Sequence, residues 1–185
     1  AEEDTVDEET PLSLGKVNHL YTATKLAGEL CCHSYQQLYG QEFTILRYGI
    51  PYGPGARART VMAAFVDNIC HGLPLTIFGD GKQHRCFIYV DDLAKGNVAA
   101  LRSGAKNKIY NLGGRRPITV LEVAETVRKI LGKGEIVFKE SRPGDSLGKV
   151  ISSLKAKREL DWEPTIEFEE GIRRYFEWYQ ENRLS

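Results

Sequence analysis

The sequence lacks the features of a membrane protein, a nucleic-acid-binding protein or a metal-binding protein. It has no apolar run long enough to span a bilayer, and its first ten residues are acidic, unlike the basic and apolar regions of a signal peptide. Its 25 basic side chains balance 25 acidic ones, so no net positive charge attracts nucleic acid or an anionic membrane. The four cysteines, Cys31, Cys32, Cys70 and Cys86, show no C-x-x-C spacing, and we expect reduced, buried thiols and no metal site. A cytoplasmic protein is the simplest interpretation.

The composition permits one substantial core. A chain of 185 residues with 42% hydrophobic and 27% charged residues is neither disordered nor fibrous. Asp92 is a candidate cap for one helix, and Thr119 with Glu122 forms a capping box at the start of another. Apolar spacing predicts helices over 18–39, 61–71, 92–103, 119–131, 155–160 and 168–182, and strands over 43–48, 76–78, 85–90, 108–112 and 136–138. This alternation predicts an α/β protein with parallel strands covered by helices.

Tyr21 and Lys25 lie four residues apart in the first predicted helix, so they should share one face. An ammonium group beside a phenol favours the phenolate and lowers the tyrosine pKa, which makes Tyr21 a candidate general base. Lys25 could also reach the ribose hydroxyls of a bound nucleotide. The alternative for an isolated Y-x-x-x-K match is a partly buried tyrosine with a solvated lysine one turn on. The histidines share no spacing, and we expect structural or exposed positions for all of them: His19, His33, His71 and His84.

Further motifs follow this pair in a fixed order along the chain. They are Asp7 to Pro11, Leu46-Arg47-Tyr48, Tyr52-Gly53-Pro54, Leu75 to Gly81, Arg85 to Asp92, Tyr110 to Gly113, Arg142 to Asp145, Lys155-Ala156-Lys157 and Trp162-Glu163-Pro164. With Tyr21 and Lys25, this order resembles the extended short-chain dehydrogenase/reductase family, specifically its NAD-dependent nucleotide-sugar epimerases and dehydratases. The resemblance extends almost to the C-terminus.

The resemblance implies the C-terminal part of a Rossmann-like NAD(P)-binding fold plus a small α/β substrate-binding lobe. A dinucleotide-binding half needs a glycine-rich turn between a strand and a helix, and this sequence has no such turn before Tyr21. We therefore expect a longer working protein whose N-terminal half is absent here, and an inactive fragment. Residues 1–60 should belong to the NAD-binding domain. Residues 61–185 should form mainly the substrate-binding lobe, with some segments returning to the Rossmann sheet.

The family implies an enzyme in which the Tyr21 phenolate removes the proton of a sugar 4-hydroxyl while hydride passes to bound NAD. Lys25 would keep Tyr21 ionised and anchor the nicotinamide ribose, and Tyr48 would lie on the nicotinamide side of the cleft. A UDP-hexose 4-epimerase is favoured. A 4,6-dehydratase, a UDP-glucuronate decarboxylase and a non-catalytic nucleotide-sugar binding module remain alternatives.

The same resemblance implies how a UDP- or dTDP-hexose would bind. Arg85 and Arg142 match the arginines that hold the nucleotide diphosphate, since guanidinium groups pair bidentately with phosphate oxygens. Thr76 and Phe78 match the strand beside the nucleotide base. Surface salt bridges for the arginines and a core position for Phe78 are the alternatives. The family also implies a homodimer of the full-length protein.

Two positions depart from the family pattern. Ile50 stands where the family has an asparagine that binds the substrate, and Cys86 stands where it commonly has aspartate. The identity of the sugar therefore stays open. Arg47 is expected to be a structural partner for a carboxylate, Asp91 and Asp92 to be caps or ion-pair partners, and the acidic residues 2–9 to form a solvated loop.

Overall fold

The helices and strands alternate along the chain, as the sequence predicts. The computed structural model describes residues 5–11, 19–57, 60–141 and 147–183. The helices are α1 (Leu20–Tyr39), α2 (Val61–Cys70), α3 (Val90–Ala99), α4 (Val120–Leu131), α5 (Leu154–Leu160) and α6 (Phe168–Arg183). The strands are β1 (Thr5–Val6), β2 (Thr44–Tyr48), β3 (Ile50–Tyr52), β4 (Leu75–Phe78), β5 (His84–Arg85), β6 (Phe87–Tyr89), β7 (Lys108–Leu112), β8 (Ile118–Thr119), β9 (Ile136–Lys139) and β10 (Val150–Ile151). Among the described residues, no helix is long and apolar enough to cross a membrane.

The strand pairing is mostly parallel. Strands β2 and β7, β3 and β6, β4 and β9, and β1 and β10 pair in parallel, while β5 and β8 pair antiparallel. Parallel partners need long crossover connections, which here contain helices. The prediction of an α/β fold with parallel strands and flanking helices is therefore confirmed. Strand β7 returns from the second half of the chain to pair with β2, and the proposed domain boundary at residue 60 stays a prediction.

The predicted strand over 85–90 is divided at Cys86. Strand β5 pairs with β8 before this residue, and β6 pairs with β3 after it. The backbone carbonyl of Cys86 accepts the N–H of Ile50 at 2.8 Å, and a side chain at Gly49 would collide with the same carbonyl. Only glycine permits this close approach of two backbones, so Gly49 fixes the point where the strand divides.

Two clusters of buried apolar side chains hold these elements together. The larger lies among α2, α4, α6, β3, β4 and β6, and includes Met62, Ile69, Ile77, Phe87, Val123 and Ile172. The smaller lies around β7, α3 and α5, and includes Leu93, Tyr110, Leu112, Leu160 and Trp162. Burial of apolar surface on this scale is the dominant stabilising contribution to such a fold.

Asp92 does not cap α3, because that helix begins at Val90, two residues earlier. The Asp92 side chain is instead 1% exposed. Its carboxylate accepts hydrogen bonds from the backbone N–H groups of Thr165 and Ile166 and from the hydroxyl of Thr165. The backbone carbonyl of Asp92 also accepts the indole N–H of Trp162 at 3.0 Å. This one residue therefore ties α3 to the segment that leads into α6.

The acidic segment near the start is bound to the fold at residue 8. The carboxylate of Glu8 accepts the backbone N–H of Asn111 at 2.6 Å, at the end of β7. Its carbonyl accepts from the Arg47 guanidinium at 3.4 Å, and β1 next to it pairs with β10. A carboxylate in this place satisfies a strand-edge N–H that β2 does not reach. The expectation of a wholly solvated loop is wrong for Glu8.

The cysteines are free thiols, but burial was overstated for most of them. Only Cys86 is buried, whereas Cys32 and Cys70 are half-buried and Cys31 is exposed on α1. Burial raises the pKa of the Cys86 thiol, because the thiolate is poorly solvated there. Cys86 is therefore an inert structural residue.

Candidate functional site

The first part of the site is the pair Tyr21 and Lys25 on α1. The helix starts after His19, whose ring Nδ1 accepts the backbone N–H of Tyr21 at 3.1 Å, and it ends at Gly40 in the left-handed conformation. The Lys25 ammonium nitrogen lies over the Tyr21 ring, 5.3 Å from its centroid. The predicted helix and the shared face are confirmed. The Tyr21 side chain is 64% exposed, so a ligand can reach it.

A charged pair fixes α1 against β2. Arg47 donates two hydrogen bonds to the carboxylate of Glu29, from Nε at 2.8 Å and from Nη2 at 2.7 Å. This bidentate geometry is the strong form of an arginine–carboxylate contact, and it raises the pKa of Arg47 above its ordinary value. Glu29 lies two turns after Tyr21, so the pair sets the position of the Tyr21 helix on the sheet. The structural role expected for Arg47 is confirmed.

Tyr48 lies at the end of β2 but points to the other face of that strand. Its hydroxyl donates to Asn97 Oδ1 on α3 at 2.6 Å, whereas the neighbouring Arg47 reaches α1. Successive strand residues point to opposite faces, which accounts for the difference. The structure therefore does not bring the Tyr48 hydroxyl to the Tyr21 helix, and its contact with a cofactor stays a prediction.

The second part of the site is a pocket of about 400 Å³ that brings together Thr76, Phe78 and Arg85. Its other lining residues are mostly apolar and come from β3, α2, β6, α4 and the turn before β5: Ile50, Val61, Ala64, Phe65, Asn68, Gln83, Phe87 and Val120. An apolar cleft with a few polar groups at defined places is typical of small-molecule sites. Tyr21 and Lys25 do not line this pocket.

Strand β4 presents an edge with unused backbone groups at Thr76. The N–H group of Leu75 donates to the carbonyl of Glu135, just before β9, at 2.8 Å, and that of Gly79 donates to Lys139 in β9 at 2.9 Å. Backbone groups alternate between the two edges of a strand, so the N–H and carbonyl of Thr76 face away from β9. A donor and an acceptor side by side on one edge match the amide edge of a pyrimidine base.

Gln83 is a site residue that the sequence reading missed. The side-chain N–H of Gln83 donates to the backbone carbonyl of Phe78 at 2.8 Å, and both residues line the pocket. The backbone carbonyl of Gln83 accepts the N–H of Val120 at 3.0 Å. Gln83 thereby joins the β4 edge to the start of α4. Its only sequence signal is its position just after the Gly79-Asp80-Gly81 turn, which carries no chemical pattern.

Arg85 is held in place within the pocket wall. Its Nη1 donates to the carbonyl of His84 at 2.7 Å, and the backbone N–H of His84 donates to Leu147 at 2.8 Å. The other arginine predicted to bind a diphosphate, Arg142, lies outside the described residues. Among the residues that the structure describes, no group of three potential metal ligands comes together.

The two departures from the family pattern have different surroundings. Ile50 lines the pocket beside Arg85 and gives it an apolar wall. Cys86 turns away from the pocket, and its Sγ accepts the backbone N–H of Ile151 at 3.3 Å. Ile50 is therefore the departure that a bound ligand would meet.

Comparison with known sequences gives a single family. A model described as the NAD dependent epimerase/dehydratase family matches residues 1–113. The chain is 35% identical over 175 residues to a UDP-glucuronate 4-epimerase from Thermodesulfobacterium geofontis, which covers 94% of this chain and 52% of the relative. The chain thus spans about half the length of the curated relatives that it matches.

Two solved structures are also similar. A UDP-glucose 4-epimerase from Thermotoga maritima, solved with UDP-glucose, gives a TM-score of 0.83 at 33% identity, over 87% of this chain and 53% of that one. A dTDP-glucose 4,6-dehydratase from Streptomyces venezuelae, solved with NAD bound, gives a TM-score of 0.88 at 30% identity, over 97% of this chain and 55% of that one. The same fold therefore serves both reactions among the relatives.

Proposed function

This chain belongs to the NAD dependent epimerase/dehydratase family, and from that premise we propose that it is the C-terminal portion of an NAD-dependent UDP-hexose 4-epimerase. The observation that carries the proposal is the exposed Tyr21 and Lys25 pair on a helix that Arg47 and Glu29 fix to the sheet. A phenol beside an ammonium group is suited to take the proton of a sugar hydroxyl. The 35% identity to a 4-epimerase supports this reaction over others.

The described residues fit one end of NAD. Tyr21 and Lys25 expose a hydroxyl and an ammonium group on one helix face, and these groups can bind the two hydroxyls of the nicotinamide ribose. The sequence has no glycine-rich turn for the pyrophosphate, so the other end of NAD needs residues from outside this chain. We infer that the fragment alone is inactive.

The proposed reaction starts at the sugar 4-hydroxyl. Tyr21 takes the hydroxyl proton, and the attached carbon loses hydride, which gives a 4-keto sugar. NAD held at its nicotinamide ribose by Tyr21 and Lys25 would supply the hydride acceptor and, afterwards, the hydride donor. Addition of the hydride to the opposite face of the keto sugar, with return of the proton from Tyr21 to the oxygen, gives the 4-epimer without net oxidation. The Lys25 ammonium group, 5.3 Å from the centroid of the Tyr21 ring, stays beside the tyrosine through both proton transfers.

The pocket between β4 and α2 is the proposed nucleotide site. The Thr76 edge suits a uracil or thymine base, the Phe78 ring offers an apolar surface, and Arg85 suits the diphosphate. Arg142 completes the proposal as a second diphosphate ligand. Ile50 offers the bound ligand an apolar contact and no side-chain hydrogen bond at this place in the pocket.

Replacing Arg85 by alanine should weaken UDP binding by about 10- to 100-fold, since hydrogen bonds to charged groups contribute about 1.5–3 kcal/mol. Isothermal titration calorimetry with UDP measures the loss. Uridine is the matched ligand, because it keeps the base and ribose and lacks the diphosphate. Equal losses for UDP and uridine would remove Arg85 from the diphosphate site.

A 4,6-dehydratase is the second candidate, because the Streptomyces venezuelae dehydratase superposes with a TM-score of 0.88. A dehydratase needs further acid and base groups, which the resemblance places outside this chain. The deciding experiment isolates the protein from its source cell, measures its intact mass and incubates it with UDP- and dTDP-hexoses. A 4-epimer of unchanged mass supports the proposal, and a product lighter by one water supports the dehydratase. Binding without turnover supports a nucleotide-sugar binding module instead.

A homodimer formed through the outer face of α1 is part of the proposal. Helix α1 exposes large apolar side chains, among them Leu20, Leu30, Tyr35 and Leu38. Replacing both Leu30 and Leu38 by glutamate should convert the dimer into single chains, as measured by light scattering. Leu154→Glu, at an exposed residue of α5, is the control. Loss of folded protein without monomers would show that another part of the same chain covers this face.

A cytoplasmic location is the last part of the proposal. Four free thiols suit a reducing compartment, where disulfides are rare.

A further inference from the structure

The first turn of α1 depends on an unusual cap. His19 has the extended backbone of an N-cap residue, with φ −126° and ψ 127°, and its ring Nδ1 accepts the Tyr21 N–H at 3.1 Å. The first N–H groups of a helix have no partner within the helix, so this bond satisfies one of them. Asparagine, aspartate and serine are the residues usually found in this role. The cap therefore acts directly on the backbone of Tyr21.

Among the described residues, no other side chain accepts an N–H group of the first turn of α1. The first turn of α1 has no acidic residue, and no described hydrogen bond, ion pair or ring contact joins His19 to another element. Among the residues that the structure describes, the titratable groups near its ring are those of Tyr21 and, one turn further along the helix, Lys25. The rings of His19 and Tyr21 meet edge-on with centroids 6.5 Å apart, and Lys25 lies over the Tyr21 ring.

The bond requires one protonation state of the imidazole. A neutral ring can keep a lone pair on Nδ1, while a protonated ring carries N–H on both nitrogens and cannot accept. Protonation also places a positive charge at the helix N-terminus, where the helix dipole disfavours it. Both effects act in the same direction and release the Tyr21 N–H as the pH falls.

We propose that His19 is a positioning residue for Tyr21, whose neutral imidazole closes the first turn of α1 and whose protonation opens it. The link to catalysis rests on the proposed function. The link to the geometry of Tyr21 does not, because the backbone hydrogen bond can be observed without substrate.

NMR of the intact protein tests the geometry. The Tyr21 amide shift should follow the His19 ring signals with a common midpoint as pH is lowered, and the exchange of this amide with solvent should rise. His19→Ala should raise the exchange about 5-fold at neutral pH, as expected for a lost cap. The proposal would be overturned if the shift and the solvent exchange of the Tyr21 amide changed neither as pH is lowered nor in His19→Ala.

His19→Asn provides the rescue. Asparagine accepts the same N–H without titrating, so the Tyr21 amide should stay protected at neutral and acidic pH alike. His33→Asn, on the same helix, is the control and should leave the Tyr21 titration unchanged. A titration that persists in His19→Asn would assign the switch to another group and overturn the proposal.

The pH profile of activity then separates this inference from the proposed function. Loss of kcat below the His19 midpoint should disappear in His19→Asn, with little change in KM. Inactive wild-type protein with the amide titration intact would refute the proposed function alone. If both proteins are active and the wild type and His19→Asn show the same pH profile of kcat, the role of His19 alone is refuted.

Discussion

Replacing Tyr21 by phenylalanine should lower kcat of the intact enzyme by about 10²- to 10⁴-fold, the range for a lost general base. The substitution removes one oxygen atom and keeps the ring over which the Lys25 ammonium lies, 5.3 Å from the centroid. The His19 cap acts on the Tyr21 backbone, so it also survives. Steady-state kinetics with a UDP-hexose should show the loss in kcat, with UDP affinity unchanged because Tyr21 does not line the nucleotide pocket.

Tyr35→Phe is the matched control for this prediction. Tyr35 lies on the same helix, is exposed like Tyr21 and contacts the Tyr39 ring at 5.3 Å, a contact that phenylalanine retains. Its kcat should equal that of the unchanged enzyme. If Tyr21→Phe kept full activity, another group would have to be the base. A similar loss in both variants would point to a disturbed helix.

The parts of the fold that sequence could predict are those with a local signal. Helix α1 follows from apolar spacing and from Gly40, and the Tyr21 and Lys25 pair follows from the helical repeat alone. The pocket residues Thr76 and Arg85 required the family order, because no local pattern brings two separate strands together. The resemblance supplied the long-range information that spacing lacked.

Two predictions fail because of contacts that the local sequence pattern does not show. The Thr119 hydroxyl accepts the Glu122 N–H at 3.0 Å, which confirms half of the capping box. The Glu122 carboxylate does not return the bond, because the Arg116 guanidinium binds it from outside the helix. The Glu8 bond to Asn111 spans 103 residues of sequence, so no window of neighbouring residues could reveal it.

The prediction that Asp92 caps a helix fails for the same reason, whereas its predicted role as an ion-pair partner is confirmed by the Lys95 ammonium group at 3.5 Å. The position of Asp92 suits a helix cap, and only the folded chain shows that Thr165 and Ile166 bring their N–H groups to its carboxylate, at 2.8 Å and 2.7 Å. A buried carboxylate with several hydrogen bonds orders the segment that binds it. That segment leads into α6, whose Ile172 and Tyr175 belong to the larger core cluster.

Replacing Asp92 by alanine should therefore lower the free energy of unfolding by about 3 kcal/mol or more. The substitution removes one acceptor group and leaves the N–H groups of Thr165 and Ile166 and the Thr165 hydroxyl without their partner. Unpaired buried donors cost more than the hydrogen bonds themselves contribute. Urea denaturation of the intact protein should show a lower midpoint, and the exchange of α6 amides should rise before that of β7 amides.

Asp91→Ala is the control, since Asp91 is the adjacent residue in the same turn and is exposed. It removes the same charge from the helix start, where an acidic residue contributes about 0.3–1 kcal/mol, and it leaves the bonds to Thr165 and Ile166 intact. The loss of unfolding free energy in Asp92→Asn should lie between those of Asp91→Ala and Asp92→Ala, because the amide oxygen still accepts hydrogen bonds while the charge is lost. Equal losses for Asp91→Ala and Asp92→Ala would mean that charge at the start of α3, and not the link to α6, is what Asp92 contributes.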